Sequence, residues 1–312
     1  MYRILVSGSL AYDRIMNFPG HFKDHFVAEK LHNINVSFAV KAFTENFGGT
    51  AGNIAYNLGL LQKEPSIIAT AGPDFDRYIT HLQKVGVDTA SVQIDKDGAT
   101  SSAFIVTDQG NNQIAAFAMA SGGHQYIPLP STEGVKAAII GAGCIEDMTQ
   151  LPPYYRSKEV QYFYDPGQQI PTLSGDQLRD GITGTEGVFA NDYELSLIKQ
   201  KTGWSESDIV KRARALIVTF GERGSRVITR NESTDVHAVH VSKVIDPTGA
   251  GDAYRAGFLA GIFAGSSLEN AARLGSVVAS YAVEHYGTQN HRFTTEELEA
   301  RHLATYKEKP AL

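Results

Sequence analysis

The chain has 312 residues, 42% of them hydrophobic, and a formal net charge of −6 at pH 7. This mild acidic balance argues against a broad surface for nucleic acid or for an anionic membrane. The single cysteine, Cys144, excludes an internal disulfide and a thiolate metal cage, and we interpret it as a buried core thiol of a cytoplasmic protein. We expect no membrane span, because no run of about 18 apolar residues occurs, and the first apolar run, which ends at Gly8, is too short for a signal peptide.

Short apolar runs alternate with segments of helical periodicity along most of the chain. This alternation predicts an α/β fold in which helices cover both faces of a mainly parallel sheet. The predicted strands are residues 4–6, 66–71, 137–140, 160–164, 187–190 and 216–220. The predicted helices are residues 51–62, 75–85, 192–201, 250–264, 268–285 and 295–306. Because residues 250–264 are rich in Ala and Gly, we expect that helix to pack closely against a neighbour.

Two segments interrupt this rhythm and predict a second, smaller sheet. Residues 33–40 alternate between polar and apolar side chains without a following helix. Residues 102–107 and 113–118 are separated by turn-forming residues, which is typical of a β-hairpin. We predict that roughly residues 14–46 and 99–118 form a small antiparallel sheet that projects as a lid. Its exposed face needs a cover, which could be a substrate, a partner subunit or both.

The most specific motif is DPTGAGD at residues 246–252, which leads directly into a predicted helix. The free N–H groups of Gly249, Ala250 and Gly251 would lie at the positive end of that helix and form an anion site. Asp252 would lie inside the first helical turn, beside this site. Two interpretations stay open from the residues alone: a carboxylate that stabilises the helix dipole, or a general base for phosphoryl transfer.

Two other nucleotide-binding motifs are excluded or weak. No GxxxxGK[ST] sequence occurs, so a P-loop is not expected. The GAG sequence at residues 141–143 follows a predicted strand, but it lacks the third glycine of a dinucleotide-binding fingerprint. The anion site near residue 250 is therefore of another kind.

A second glycine cluster and an early aspartate suit a sugar. Gly48 and Gly49 precede the helix predicted at 51–62, and Asn53 in its first turn can donate to and accept from a hydroxyl. Asp13 follows the first strand at the edge where ligands of parallel sheets bind, and its carboxylate could accept hydrogen bonds from two vicinal hydroxyls. A plain turn and a solvated loop acid are the alternatives.

Two late segments also follow predicted strands. Asn191 and Glu194 form an NxxE sequence, and residues 218–224 turn on two glycines. A glutamate beside a phosphate site can hold Mg²⁺ through water, whereas the alternative for Glu194 is an acid that stabilises a helix N-terminus.

In this order, the motifs resemble those of the ribokinase-like, or PfkB-type, family of carbohydrate and nucleoside kinases. The resemblance covers essentially the whole chain, and it is closest to bacterial adenosine kinases. The stretches that carry this closer likeness are residues 18–20, 31–32, 36–38, 48–53, 165–169, 191–194, 202–204, 246–257 and 287–289. It implies one domain over residues 1–312, a three-layer α/β sandwich with a small β-sheet lid. It also implies ATP-dependent transfer of the γ-phosphoryl to the 5′-hydroxyl of a ribonucleoside, with adenosine as the expected substrate.

The resemblance further implies roles for single residues. Asp252 would be the general base, and Gly249, Ala250 and Gly251 the anion hole. Residues implied for substrate binding are Ser9, Asp13, Gly48, Gly49, Asn53, Phe38, Phe104, Phe117, Gln168 and Gln169. Within this set, Phe104 and Phe117 would flank the purine, joined by Phe38 of the same chain or of a partner subunit, and the two glutamines would read the base. Residues implied for the ATP side are Asn191, Thr219, Gly221, Gly224 and Thr248.

The implied ions and partners complete the hypothesis. Glu194 would organise Mg²⁺ through water, K⁺ would bind near Asp246, and the chain would form a homodimer through the lid sheet. One departure concerns residues 118–123, which read AMASGG where the relatives carry a turn like Pro-Gly-Ala-Met. A ribose or fructose kinase of the same family, and a catalytically inactive nucleoside-binding protein, are the alternatives to an adenosine kinase.

Overall fold

The computed structural model of the protein describes residues 3–26, 35–110 and 112–312. The strands are β1 (Arg3–Ser7), β2 (Ala11–Asn17), β3 (Ala42–Gly48), β4 (Pro65–Ile68), β5 (Thr70–Ala71), β6 (Gln93–Ile94), β7 (Ser101–Thr107), β8 (Gln113–Ala118), β9 (Val135–Ile140), β10 (Gln161–Tyr164), β11 (Gly187–Asn191), β12 (Leu216–Thr219), β13 (Ser225–Ile228) and β14 (Ser233–Val236). The helices are α1 (Thr50–Leu60), α2 (Asp76–Gln83), α3 (Ile145–Ser157), α4 (Gly175–Ile182), α5 (Asp192–Thr202), α6 (Glu206–Val210), α7 (Ala250–Phe263), α8 (Leu268–Val283) and α9 (Thr295–Tyr306). None of the helices in these ranges is long and apolar enough to cross a membrane.

The predicted central sheet is confirmed. Its eight strands run in the order β14-β13-β12-β11-β10-β9-β1-β4, and the six from β12 to β4 are parallel. The other two strands, β13 and β14, extend one edge in antiparallel fashion. Since the carboxyl ends of parallel strands share one edge of a sheet, the loops that follow β1, β9, β10, β11 and β12 meet there.

Side chains of the sheet alternate between two apolar cores. On β1, Ile4 and Val6 join a core that is completed by α1, α7 and α8, while Leu5 joins a second core formed with α3, α4 and α5. The small residues of α7 allow the close packing that the sequence predicted. A Cβ on Gly257 would lie 2.8 Å from the Cα of Gly275 on α8, so the two helices approach almost backbone to backbone.

The second sheet has the order β3-β2-β7-β8, with the predicted hairpin of β7 and β8 at one edge. Its two outer pairs are antiparallel, and the central pair of β2 and β7 is parallel. The strand predicted at 33–40 is wrong over residues 35–40, which are irregular, and residues 33 and 34 lie outside the described ranges. The reason is packing against an earlier segment of the chain: the centroid of the Phe38 ring lies 4.9 Å from that of Phe18 and 5.0 Å from that of Phe22.

The register of this lid sheet defines two faces. Directly paired residues point to the same side of a sheet, and successive residues point to opposite sides. Asp13 pairs with Ala103, which pairs with Phe117, so Asp13 and Phe117 share one face, here called the inner face. Arg14 pairs with Phe104, and these two residues share the opposite, outer face. Phe104 and Phe117 therefore project from opposite faces of the lid sheet, and any role proposed for the lid must account for this.

Candidate active site

The glycine-rich turn lies at the N-terminus of α7, as the sequence predicted. Gly249 is the N-cap and has a left-handed conformation, with φ 79°. A Cβ at this position would lie only 2.9 Å from the Cβ of Thr288, so the missing side chain leaves room for that residue. Ala250 and Gly251 start the helix; the N–H of Ala250 donates to the carbonyl of Pro247 at 3.3 Å, while that of Gly251 belongs to the first turn, which has no intrahelical acceptor. Such a turn is suited to bind an anion.

Asp252, in the same turn, is tied to α1 across the site. The Asn53 side chain donates from Nδ2 to Oδ2 of Asp252 at 2.8 Å. Oδ1 of Asn53 accepts from Thr288 Oγ1 and from Gln289 Nε2, both at 2.8 Å. An asparagine amide has two donors and two acceptor sites, so one N–H of Asn53 remains for a ligand hydroxyl. The contact of Asn53 with a sugar therefore stays a prediction, and its contact with Asp252 was not predicted.

The surroundings of Asp252 set its proton affinity. The pKa of this carboxyl is raised to about 7, mainly by burial and also by the negative charges of Asp165 and Glu194. The Arg255 guanidinium and the hydrogen bond from Asn53 act in the opposite direction. A group with a pKa near neutrality is well matched to take a proton at physiological pH. The general-base interpretation thus has a physical basis that a dipole-stabilising acid would not need.

A buried ion pair lies directly beneath this turn, and the sequence analysis assigned it no role. Nη2 of Arg255 donates to Oδ1 of Asp165 at 2.8 Å, and the two residues are only 6% and 2% exposed. Nη1 of Arg255 is 2.7 Å from the position that a Cβ on Gly251 would occupy. The guanidinium therefore supports the anion-binding turn from below and partly compensates the surrounding carboxylates. The spacing of three residues from Asp252 on a helix was the signal that could have identified it.

The predicted sugar side is assembled by a turn that only glycine can form. Gly49 has φ 88°, and a Cβ there would lie 2.5 Å from the carbonyl oxygen of Ser9. A Cβ on Gly48 would lie 2.5 Å from Oδ2 of Asp13, so this carboxylate rests against the turn. Burial, and then the charge of Asp246, raise the pKa of Asp13 to about 6. An acceptor carboxylate and a glycine backbone thus lie side by side, as predicted.

Of three other predicted substrate residues, two have structural partners and one is exposed. The hydroxyl of Ser9 accepts from the N–H of Thr50 at 3.1 Å and so stabilises the start of α1. Gln169 donates to the carbonyl of Gly143 at 2.8 Å and connects the loops that follow β9 and β10. Gln168 is exposed. Their proposed contacts with a base stay predictions.

The predicted aromatic clamp needs a correction. Phe117 projects from the inner face and is 55% exposed, so it is free to contact a ligand above Asp13. Phe104 projects from the outer face, where the Arg14 guanidinium lies 5.4 Å from its ring centroid. Phe104 and Phe117 of one chain therefore cannot flank the same purine. Phe38 packs against Phe18 and does not stand beside Phe117.

The predicted ATP-side residues converge at the ends of β11 and β12. Asn191 and Thr219 are register partners there. Glu194 and Asn191 form a capping box: each side chain accepts from the backbone N–H of the other at 2.8 Å. The helix-stabilising interpretation of Glu194 is thereby confirmed, and burial raises its pKa. Its second oxygen stays available for another partner.

The remaining predicted residues shape neighbouring turns. Gly221 and Gly224 have φ angles of 59° and 95°, and a Cβ on Gly224 would lie 2.1 Å from the carbonyl oxygen of Val236. Asp246 accepts from the N–H of Thr248 at 2.9 Å and from that of Gly287 at 3.0 Å. Asp246 therefore joins the glycine-rich turn to the loop after α8.

The resemblance implies two cations, Mg²⁺ and K⁺. Among the described residues, no group of three or more His, Cys, Asp and Glu side chains is arranged to hold a metal ion. A magnesium ion held mainly by nucleotide phosphates and water would need only one protein oxygen, and the free oxygen of Glu194 fits that requirement. K⁺ near Asp246 would share a carboxylate that already accepts two N–H groups.

Comparisons with known proteins agree with this architecture. The pfkB family of carbohydrate kinases matches residues 3–295. The chain is 30% identical to the nucleoside kinase of Methanocaldococcus jannaschii over 292 residues, which cover 93% of each chain. It also resembles the solved structure of a Burkholderia thailandensis nucleoside kinase in complex with inosine, with a TM-score of 0.85 and 36% identity over 99% of this chain and all of that one.

A solved structure of the M. jannaschii nucleoside kinase, an archaeal member of the ribokinase family, gives a TM-score of 0.88 at 29% identity and covers 97% of this chain and 99% of that one. The protein therefore belongs to the pfkB family of carbohydrate kinases and has the ribokinase fold.

The buried pair of Arg255 and Asp165 yields a prediction about stability. We expect Arg255→Met to lower the free energy of unfolding by about 3–5 kcal/mol, because it leaves the Asp165 carboxylate buried without a counter-charge. Urea unfolding measures this. The control is Arg226→Met, which breaks an exposed pair with Asp235 and should cost less than about 1 kcal/mol. The double variant Arg255→Met/Asp165→Asn should recover at least half of the loss, and equal effects of the two single Arg variants would refute the interpretation.

Proposed function

We propose that the protein is a ribonucleoside kinase that transfers the γ-phosphoryl group of ATP to the 5′-hydroxyl of adenosine. The observation that carries this proposal is a desolvated carboxylate, Asp252, with a pKa of about 7, in the first turn of a helix whose glycine-rich N-terminus can bind phosphate. The similarity to nucleoside kinases of M. jannaschii and B. thailandensis supports a nucleoside as the acceptor. Adenosine itself follows from the resemblance of the sequence to bacterial adenosine kinases.

In the proposed mechanism Asp252 accepts the proton of the 5′-hydroxyl while the hydroxyl oxygen attacks the γ-phosphorus and ADP leaves. Asn53 holds one carboxylate oxygen, which leaves the other free to receive the proton. The N–H groups of Gly249, Ala250 and Gly251 stabilise the charge of the transferring group. Magnesium bound to the nucleotide would be held through water by Glu194 and would supply charge neutralisation. The residues of the chain thus contribute mainly position and electrostatics.

The sugar and the base are recognised by different elements in this proposal. Asp13 accepts hydrogen bonds from the vicinal ribose hydroxyls, and the backbone at Gly49 approaches the sugar closely. Phe117, on the inner face above Asp13, stacks on the base. Asn191 and Thr219, at neighbouring strand ends, line the ATP side.

The outer face of the lid supports a further part of the proposal, a homodimer. Phe43, Phe104 and Ile114 are between 38% and 59% exposed there. An apolar face of this kind on a projecting sheet is suited to pack against the same face of a second copy. Phe104 then contributes to assembly instead of flanking the purine of its own chain.

The substrate assignment is tested by ADP release from ATP and Mg²⁺ with adenosine, inosine, guanosine, cytidine, ribose and fructose as acceptors. We expect turnover with adenosine at micromolar concentration. Turnover restricted to a free sugar would keep the Asp252 mechanism and refute the nucleoside assignment. Binding of adenosine without any turnover would instead identify an inactive nucleoside-binding protein.

The general-base role predicts the behaviour of Asp252→Asn. This change preserves size and the partner Asn53 but removes the proton acceptor, so turnover should fall by about 10²–10⁴-fold while nucleoside binding is retained. Steady-state kinetics and calorimetric titration with adenosine measure the two effects. Asp13→Asn is the comparison, because a change on the sugar side should mainly raise the KM for the nucleoside. Residual turnover of Asp252→Asn above about 10% of wild type would refute the assignment.

The two faces of the lid predict different effects for its two phenylalanines. Phe117→Ala should raise the KM for adenosine at least about fivefold, since stacking on a base contributes about 1–3 kcal/mol. Phe104→Ala should leave this KM within about twofold and should shift a dimer toward monomer. Kinetics and sedimentation velocity of the two variants, compared side by side, measure this. A rise in KM of the same size for both would contradict the assignment of the purine to the inner face.

A further inference from the structure

Gln289 lies at the centre of a buried chain of hydrogen bonds that ends on Asp252. It is 2% exposed and follows α8 in the loop at residues 284–294. Its Nε2 donates to Oδ1 of Asn53 at 2.8 Å and also to the hydroxyl of Tyr78. The Tyr78 hydroxyl in turn donates to the carbonyl of Gly48 at 2.8 Å. This chain connects the glycine turn of the sugar side with the carboxylate of the phosphate side.

The direction of the bonds in this chain follows from the Gly48 carbonyl, which can only accept, so the Tyr78 hydroxyl donates to it and accepts from the NH₂ group of Gln289. An amide NH₂ group donates and cannot accept, so the atom of Asn53 that faces it must be the carbonyl oxygen. The NH₂ group of Asn53 is then forced toward Oδ2 of Asp252, where it stabilises the ionised carboxylate. Thr288 cannot impose this orientation alone, because its hydroxyl lies 2.8 Å from both Asn53 Oδ1 and the carbonyl of Phe47 and carries one proton.

We propose that Gln289 is a positioning residue for the base Asp252, acting through the amide of Asn53, and that it couples the base to the Gly48 turn on the sugar side. This inference rests on the proposed function, in which Asp252 accepts a proton. In this role Gln289 acts on the base through Asn53 and does not contact the substrate. The base is held in its reactive orientation only while the sugar-side turn is also in place.

The charged groups around Asp252 define the effect of losing this orientation. Arg255 on α7 favours the ionised form, whereas Asp165 after β10 and Glu194 on α5 disfavour it. Without a fixed Asn53 N–H donor, the carboxylate keeps its burial and its two negative neighbours but loses a stabilising hydrogen bond. A hydrogen bond to a charged group corresponds to about one unit of pKa. The proton affinity of Asp252 therefore rises.

The experiment compares wild type with Gln289→Met, which keeps the side-chain volume but removes both donors. We expect the pH of half-maximal kcat to rise by about one unit, which lowers kcat at pH 7 about fivefold and restores it near pH 9. The KM for the nucleoside should stay within about twofold. The matched control is Tyr56→Phe on α1, the helix that also carries Asn53. This change removes a buried hydrogen bond of 2.7 Å to the carbonyl of His291, which lies outside the chain that leads to Asp252.

A double-mutant cycle tests whether Gln289 acts through Asn53. The losses caused by Gln289→Met and by Asn53→Ala should not add, because the second change removes the only group through which the first acts. Should Gln289→Met fail to fold, Gln289→Glu keeps both size and polarity but accepts where Gln289 donates. It should then reverse the Asn53 amide and shift the pH profile further. Full additivity, or a pH profile of the Gln289 variants equal to that of Tyr56→Phe, would overturn the proposal.

A second readout separates this inference from the proposed function. The carboxyl of Asp252 can be titrated by ¹³C NMR in protein without substrate, with Asp252→Asn used to assign its signal. We expect its midpoint to rise in Gln289→Met relative to wild type, whichever acceptor is phosphorylated. If no nucleoside is phosphorylated but this midpoint still shifts, the substrate assignment is refuted and the positioning role of Gln289 stands. An unchanged midpoint in an active enzyme would refute the positioning role alone.

Discussion

The structure of the site depends on one constraint, the burial of a carboxylate at the phosphate end. Asp252 lies near Asp165 and Glu194, and the guanidinium of Arg255 is the cation that compensates them. Burial among like charges is costly, and the fold meets this cost with a buried ion pair and with hydrogen bonds from another helix. The result is a carboxyl group whose pKa is close to neutrality, which an exposed aspartate could not reach. The arrangement is expensive for stability, and the proposed proton transfer would account for it.

The lid sheet has two different faces because successive side chains along each strand project to opposite sides. The inner face carries Asp13 and Phe117 on the predicted sugar side of the site, while the outer face carries Phe43, Phe104 and Ile114. Each strand of the sheet therefore presents one set of side chains to the inner face and the other to the outer face. A change in register by one residue would exchange the two sets, so the same constraint fixes the composition of both faces together.

The sequence predicted the fold well where the signals are local. Strands, helices, the glycine-rich turns and the hairpin follow from periodicity and turn residues, and the site residues at strand ends follow from the edge rule of parallel sheets. The wrong strand and the wrong clamp share a cause, which is packing between distant segments. Phe38 alternates as in a strand but joins an aromatic cluster, and the clamp of Phe104 and Phe117 ignored which face each residue takes once β7 pairs with β2. Gln289 lies 236 residues from Asn53, so no local pattern could have linked them.

The hydrogen-bond chain through Gln289 gives the two ends of the site a common geometry. One end is the turn at Gly48, whose carbonyl accepts from Tyr78, and the other is the Asp252 carboxylate, which accepts from Asn53. A kinase that ionised its base in the absence of an acceptor would favour attack by water on ATP. Dependence of the Asn53 orientation on the sugar-side turn counters this, because disorder at the turn also weakens the base. Buried amides are better suited to this coupling than hydroxyls. An amide donates from its nitrogen and accepts at its oxygen, whereas the single oxygen of a hydroxyl can do either.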